Sequence, residues 1–395
     1  MGLSGHALAT TATSLRPLWD RTAEWECRLE MIATARRFLY LSTYYLEYDG
    51  YGTQLLTALL RAQARGVAVS LLIDRFGQTL GGVLMTSGVK AALASRLDEL
   101  RAAGATVTFY SPAYVIQRRV GGGQHVKIQV SDAGEALFGS SNITASSFEH
   151  WHEYAAAVRG PVVPVLLASY GEIGGQIAPD HVRHLEAISV GVSDTPADAV
   201  PLDYWFCNPN LHQGPLGPLW WRGRNIVTDR LVDMMHAARR RIQLTAFYFK
   251  PVPVLMHAVL EAARRGVTVE VYHSHREALP ATDLAWIAAA TSYDQLLAAG
   301  VRIYEHRGGE HSKIVLVDET WVAFGSYNFE DAAHDRLAEA MLATRDARAV
   351  ADAAAIFAGL SEDPDNVVVT PAFRRGHSRW QWWRLAIMGR FKRWM

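Results

Sequence analysis

His125–Asn142 reads HVKIQVSDAGEALFGSSN, and His311–Asn328 reads HSKIVLVDETWVAFGSYN. Seven residue types recur without a gap: His125/His311, Lys127/Lys313, Asp132/Asp318, Gly139/Gly325, Ser140/Ser326, Asn142/Asn328 and, just beyond the quoted stretch, Glu153/Glu339. Each pair is separated by the same 186 residues. At roughly one in twenty per position, such a recurrence arises by chance less than about once in a million sequences. The stretch is one copy of an internal repeat that carries polar, reactive side chains.

Locally, HVKIQV and HSKIVLV alternate so that His and Lys share one strand face and the apolar residues the other. Asp132-Ala-Gly134 and Asp318-Glu-Thr320 supply turn residues, and ALF and VAF make a return strand ending at Gly-Ser-x-Asn. Such a hairpin gathers His, Lys, Ser and Asn at one edge. Lys is a fixed cation, Ser and Asn are neutral donors, and His offers one nitrogen for chemistry while a partner holds the other. This set suits binding and attack of a phosphate. Lys is a poor metal ligand and no Asp/Glu/His cluster at metal spacing accompanies it, so no metal is expected. Covalent phosphodiester exchange needs two such groups, a nucleophile and an acid for the leaving oxygen, and the second copy supplies the other.

The flanks repeat as well. AARRRIQLTAFYF (Ala237–Phe249) echoes TARRFLYLSTYYL (Thr34–Leu46), and AARRGVTVEVY (Ala262–Tyr272) echoes AQARGVAVSLL (Ala62–Leu72). LLAAGVRIY (Leu296–Tyr304) echoes LRAAGATVTFY (Leu100–Tyr110). Helices ending in a basic residue and Gly lead into apolar strands, the strand–helix–strand unit of a mostly parallel sheet. The fold class is α/β: two duplicated halves, each a mostly parallel mixed sheet flanked by helices, with one active site at their pseudo-twofold interface. Domain bounds are expected at 1–200 and 201–370, with a tail at 371–395. Residues 1–20, rich in Thr, Ser and Ala, are expected outside the first core. Residues 191–224, with five prolines, are expected to form a long crossover. The first half carries about ten extra residues before His125, in SPAYVIQRRVGGGQ, read as a flexible surface loop or a mobile lid.

The 395 residues balance 39 Lys and Arg against 39 Asp and Glu. That balance argues against a long nucleic-acid footprint, which needs surplus positive charge. Cys27 and Cys207 cannot build a disulfide framework or a Cys-rich zinc site. Neither a secretory signal, a myristoylation pattern, nor a run of about 18 apolar residues is present, so a soluble or peripherally bound protein is expected. His273-x-His275, His150, His152, Trp205 and Trp220-Trp221 read as scaffold, rim or packing residues.

His-x-Lys-x4-Asp-x6-Gly-Ser-x-Asn, matched twice, resembles the signature of the phospholipase D superfamily. The resemblance implies that one His forms a phosphohistidine and the other acts as acid and then base, with His125 the suggested nucleophile. Lys127, Lys313, Asn142 and Asn328 would bind phosphoryl oxygens, assisted by Ser140 and Ser326. Glu153 and Glu339 match the family Glu that orients the His. Asp132 and Asp318 match its structural Asp, and Gly139 and Gly325 complete the motif. No cofactor is implied.

Over roughly residues 25–350 the chain is most similar to the bacterial cardiolipin synthase branch, including LLIDRFG (Leu71–Gly77) and LPATDLAWIAAATSYDQLLAAGVRIYEH. GGGQ before His125 and Gly-Ser-Ser-Asn after it depart from that branch. The resemblance implies a phosphatidyltransferase exchanging the alcohol of a phospholipid phosphodiester. Hydrolysis by the same site, as a phospholipase D, and a phosphodiesterase nuclease are the alternatives. Expected partners are a phospholipid, an alcohol acceptor and, through residues 374–395, an anionic membrane surface; nucleic acid is not expected. That last stretch carries seven basic residues with Trp380, Trp383, Ile387, Phe391 and Trp394 at helical spacing. The expected location is cytoplasmic, at the inner face of a bacterial membrane.

Overall fold

The computed structural model describes residues 2–190, 199–219, 221, 223–279 and 282–372, so the expected membrane-binding tail lies outside the described residues. In chain order the first strands are β1 (His6–Ala12), β2 (Ser14–Leu18), β3 (Phe38–Thr43), β4 (Ala68–Asp74), β5 (Thr106–Tyr110), β6 (Gly123–Gln124), β7 (Lys127–Ser131), β8 (Glu135–Gly139) and β9 (Ala155–Arg159). They are followed by β10 (Val200–Cys207), β11 (Arg241–Thr245), β12 (Thr268–Ser274), β13 (Arg302–His306), β14 (Ile314–Val317), β15 (Trp321–Gly325), β16 (Leu337–Thr344) and β17 (Asn366–Val369).

Two sheets result, ordered β2-β9-β8-β7-β3-β4-β5 and β1-β10-β16-β15-β14-β11-β12-β13-β17. Six strands of each, β9-β8-β7-β3-β4-β5 and β16-β15-β14-β11-β12-β13, run in the same order, so the duplication extends to topology. The expected mixed α/β class holds, with a narrower parallel part. Within the two main sheet paths, only β3–β4–β5 and β11–β12–β13 pair in parallel; the other neighbours are antiparallel. The physical reason is connection length. Helices such as Gly50–Ala64 and Pro253–Arg264 give parallel crossovers, whereas the tight turns of the motif hairpins force antiparallel return.

The hairpins pack the two halves together. Ile128, Val130 and Phe138 share one core with Ile314, Leu316 and Phe324, joined by residues of helices Val162–Glu172 and Ala347–Glu362. Helices on the outer faces cover separate cores, one led by Leu55, Leu59 and Leu97, the other by Leu231, Leu255 and Val259.

Three expectations about connecting segments are corrected. Residues 1–20 are not outside the core: β1 pairs with β10 and β2 with β9, so one short segment covers an edge of each sheet. Residues 191–224 contain a full strand, β10; its Pro201 precedes the register with β16, which starts at Asp203, so the missing N–H costs no ladder bond there. The Gly-rich insertion is neither surface loop nor lid at its C-terminal end. Gly123 and Gln124 pair in parallel with Leu337 and Ala338 of the other half, and residues 121–124 are buried. A Cβ at Gly122 would press on the Gln117 carbonyl, and one at Gly123 on the Asp74 carboxylate. Close approach, not mobility, explains these glycines.

Candidate active site

His125 and His311 precede β7 and β14, which run antiparallel to β3 and β11. Each therefore stands at the carboxyl edge of its sheet's parallel strands. The backbone N–H of His125 donates to Ala338 of the second half at 2.8 Å, and that of His311 donates to His152 of the first half at 2.8 Å. The side chains cross in the same reciprocal way. His311 Nδ1 lies 2.9 Å from the Glu153 carboxylate, and His125 Nδ1 lies 3.1 Å from the Glu339 carboxylate. Each motif thus holds the imidazole of the other half, with Nδ1 engaged and Nε2 left for chemistry.

The two pairs differ in charge. Ser140 Oγ donates to Glu153 at 2.5 Å and Ser147 Oγ at 2.8 Å. Burial would raise Glu153, but His311, Lys313 and Ser140 outweigh it and hold the carboxyl down to about 2. Glu339 receives the Ser326 hydroxyl, and the place of Ser147 is taken by Ala333, which has no donor. Burial pushes Glu339 up to about 8, against the pull of Lys127 and Ser326, with Glu330 adding to the rise. His125 Nδ1 lies 3.0 Å from the Ser326 carbonyl oxygen, which accepts its proton whatever the state of Glu339. Burial lowers both imidazoles, and at His311 the Glu153 carboxylate opposes that. At His125 the opposing influences are Glu330 and the Ser326 carbonyl.

These bonds place the hydroxyls of Ser140 and Ser326 against glutamates. Each hydroxyl has one proton and gives it to a glutamate, while its oxygen accepts a backbone N–H, from Tyr154 or Ala340 at 3.0 Å. Each serine thereby holds a carboxylate of its own half in place.

Lys127 and Lys313 are buried in the same space. Burial and then Lys313 lower Lys127 well below its ordinary value, and burial lowers Lys313 to about 8. Both ammonium groups rest on the carbonyl of the preceding His, Lys127 at 2.9 Å from His125. Asn142 is buried with neither amide atom bonded among the described residues, and Asn328 leaves its Oδ1 without a partner. Two crowded lysine side chains and these amide groups suit the oxygens of an anion.

The rings beside the histidines were not singled out from sequence. Tyr44 meets His125 edge-on at 4.7 Å and Phe247 meets His311 at 4.7 Å. Trp151 stacks on His311 at 5.0 Å, while the equivalent residue of the second copy is Leu337. Tyr44 and Phe247 occupy matching places in the STYYL and TAFYF echo, a signal that could have found them. Asp74 and Ser274, also matched, accept the backbone N–H of the residue before each His, from Gln124 at 2.8 Å and Glu310 at 2.9 Å.

Asp132 and Asp318 lie at the far end of the hairpins. Asp132 accepts the Arg36 N–H at 3.0 Å, and Asp318 accepts those of Arg239, Arg240 and Arg241 at 2.7–2.8 Å. They tie the hairpin turn to the segment before β3 and β11, away from the histidines. Gly139 and Gly325 leave no room for a side chain: a Cβ would strike the carbonyl oxygens of Tyr154 and Ala340 on the neighbouring strand.

One cluster of metal-ligand type does occur among the described residues, contrary to expectation, because its members are scattered in sequence. His152, His306 and Asp363 bring candidate ligand atoms within 4.8 Å of one another. Gly309 N–H donates to His306 Nδ1 at 3.0 Å, so that ring's proton sits on Nε2, which faces Asp363 at 3.3 Å. In that tautomer His306 has no lone pair for an ion, and the cluster reads as a hydrogen-bonded seam between the halves. His273 is buried against the Tyr293 hydroxyl at 2.8 Å.

Two interlocked hairpins carrying paired His, Lys and Glu define a phospholipase D-type enzyme. The chain belongs to the family described as cardiolipin synthase, PLD-like domain, whose model matches residues 29–169 and again 231–361. It is a phospholipid-modifying enzyme of a phosphatidyltransferase family. Cardiolipin synthase B of Salmonella typhimurium is 28% identical over 319 residues, covering 76% of this chain and 69% of that protein. Cardiolipin synthase B of Escherichia coli is 28% identical over 312 residues, covering 76% and 68%. Among solved structures, phosphatidylserine synthase from Haemophilus influenzae shares the fold, with a TM-score of 0.70 at 16% identity over 98% of this chain and 95% of that one. No helix among the described residues is long and apolar enough to cross a membrane.

Proposed function

We propose that the chain is a phosphatidyltransferase of the cardiolipin synthase type, acting through one site at a pseudo-twofold interface between residues 1–200 and 201–370. The observation that carries this reading is the unequal pairing of the histidines. His125, its Nδ1 proton held by the Ser326 carbonyl, keeps a neutral Nε2 lone pair for attack. His311, braced by the Glu153 carboxylate at 2.9 Å, is the better proton carrier.

In the first step His125 Nε2 forms a bond to phosphorus, the bond from phosphorus to the departing alcohol oxygen breaks, and His311 gives that oxygen its proton. In the second, His311 takes the proton of an acceptor alcohol, whose oxygen displaces His125 from phosphorus. Lys127, Lys313, Asn142 and Asn328 hold the phosphoryl oxygens, and charge developing there is met in a water-poor pocket where it counts most. Residues 374–395 add contact with an anionic membrane surface, at the inner face of a bacterial membrane. The names of the relatives, cardiolipin synthase B, direct the product toward cardiolipin.

The test is incubation with phosphatidylglycerol vesicles and, separately, with single-stranded DNA, followed by lipid analysis and mass-spectrometric trapping. The expected result is transfer of a phosphatidyl group and an adduct on His125. Release of phosphatidic acid alone would make the enzyme a hydrolase, cleavage of DNA a nuclease, and an adduct on His311 only would reverse the two roles.

A further inference from the structure

Ten large hydrophobic side chains are exposed among the described residues, and nine of them lie in segments that leave the carboxyl ends of β4, β5, β10, β11 and β12. Strand directions put those ends on the edge of the sheets that carries His125 and His311. Leu80 and Val83 follow β4, Val115 follows β5, Leu216 follows β10, Val254 follows β11 and Leu284 follows β12, exposed by 41–65%. Scattered exposed apolar residues need no explanation, but concentration on one functional edge does.

The segments are anchored to the site. Gly121 sits under the Phe76 ring, and Gln117 Nε2 donates to the Asn210 carbonyl at 3.0 Å. Asn210 Nδ2 in turn donates to the Gly123 carbonyl, two residues before His125, at 3.0 Å. In the second half, Lys250 N–H donates to the Phe329 carbonyl beside Asn328. Trp151, stacked on His311, donates to the Ala278 carbonyl at 3.3 Å. Interspersed with the apolar tips are Arg75, Arg119 and Arg276, exposed and with no carboxylate in ion-pair range among the described residues.

We propose that this rim is a second membrane-docking face, distinct from the tail at 371–395, which seats the mouth of the active site on a phospholipid bilayer bearing anionic headgroups. Apolar tips enter the interface and the arginines meet headgroups of net negative charge, as suits a mixed surface of this kind. The proposal rests on the phospholipid reading of the site for its choice of occupant.

The test uses the full chain and three variants: Val83→Ser/Val115→Ser/Leu216→Ser, Arg75→Gln/Arg119→Gln/Arg276→Gln, and Val368→Ser, the exposed apolar residue of edge strand β17. Vesicle sedimentation is measured with phosphatidylcholine alone and with added phosphatidylglycerol, and turnover with a short-chain phospholipid kept monomeric. The apolar triple is expected to weaken vesicle binding by at least about tenfold on both compositions. The arginine triple should do so only where phosphatidylglycerol is present, by about tenfold or more. Both keep monomer turnover within about twofold, and Val368→Ser binds like wild type. Unchanged vesicle binding by the apolar triple, an equal loss in Val368→Ser, or a wild-type dimer that the apolar triple dissociates would overturn the docking face. If the wild type binds vesicles but turns over no phospholipid, the proposed function fails while the docking face is still judged on binding.

Discussion

Glu153 belongs to the first half of the chain and His311 to the second, yet their side chains meet at 2.9 Å in a buried pair. The reverse contact, Glu339 with His125 at 3.1 Å, is made with a carboxyl pushed up to about 8 rather than down to about 2. The same residue types in the same places therefore hold protons differently.

That inequality separates two conservative substitutions. Glu153→Gln removes a carboxylate that stabilises the imidazolium of His311, and should lower the single-turnover rate by roughly 100- to 10,000-fold. Glu339→Gln replaces a carboxyl that burial pushes up toward its neutral form and should cost less than about tenfold. Rapid-quench measurement of both variants decides the matter; equal losses would remove the basis for the unequal roles.

Lys313 should set a high-pH limb. Its ammonium is lowered to about 8, so the free enzyme loses phosphate attraction above that value and kcat/KM should fall. A bound phosphoryl anion favours the charged form, so the matching limb of kcat should lie at higher pH. Linkage gives a second check. Between about 8 and 10.5 the folded chain holds fewer protons at Lys313 than the unfolded chain, so this group's contribution to stability rises with pH through that window. Lys313→Met, which removes the buried cation, should abolish turnover yet raise Tm at pH 7 by about 2–4 °C. A lower Tm would show that the amine stabilises the fold.

Gly325→Ala should destabilise the protein by about 2–4 kcal/mol, because its Cβ would meet the Ala340 carbonyl oxygen on the adjacent strand. Gly359, within helix Ala347–Glu362 with nothing within 4 Å of an added Cβ, is the contrast. There alanine should stabilise by about 0.5–1 kcal/mol. Denaturant midpoints of the two variants should move in opposite directions.

Asn210→Ala should loosen the approach to His125. Its Nδ2 donates to the carbonyls of Gly123 at 3.0 Å and Arg336 at 2.9 Å, which join the two halves. Losing these two bonds costs roughly 0.5–1.5 kcal/mol each, with the Gly123 N–H still donating to the Arg336 carbonyl at 3.0 Å. Amide exchange at residues 121–125 should accelerate by about tenfold or more while that of β11 and β12 is unchanged; no local change would show that the β6–β16 pairing suffices.

The motif hairpins, the strands around them and the turn aspartates were legible because each depends on near neighbours: period-two alternation, turn residues, and Gly after a helix. Segment 1–20 was misread since its Thr, Ser and Ala show weak alternation, and its strands are defined by edges they cover far away in sequence. Prolines disguised β10, and three glycines suggested mobility where a crowded crossing between halves demanded small residues. Ser140 and Ser326 were legible as site residues, whereas only the folded geometry places each hydroxyl against a glutamate. His152, His306 and Asp363 share no spacing that a linear reading could detect.

By itself the sequence determined that two copies of one His-Lys-Asn hairpin exist and that each sits on a repeated strand–helix–strand unit. Those are matters of local pattern, repeated within one chain. Only the tertiary structure decided that each imidazole is held by the glutamate of the other half, and that one glutamate is held acidic and the other kept near neutrality. Desolvation and Coulomb interaction depend on everything within a few ångströms in space, and across the shared core those neighbours come from both halves at once.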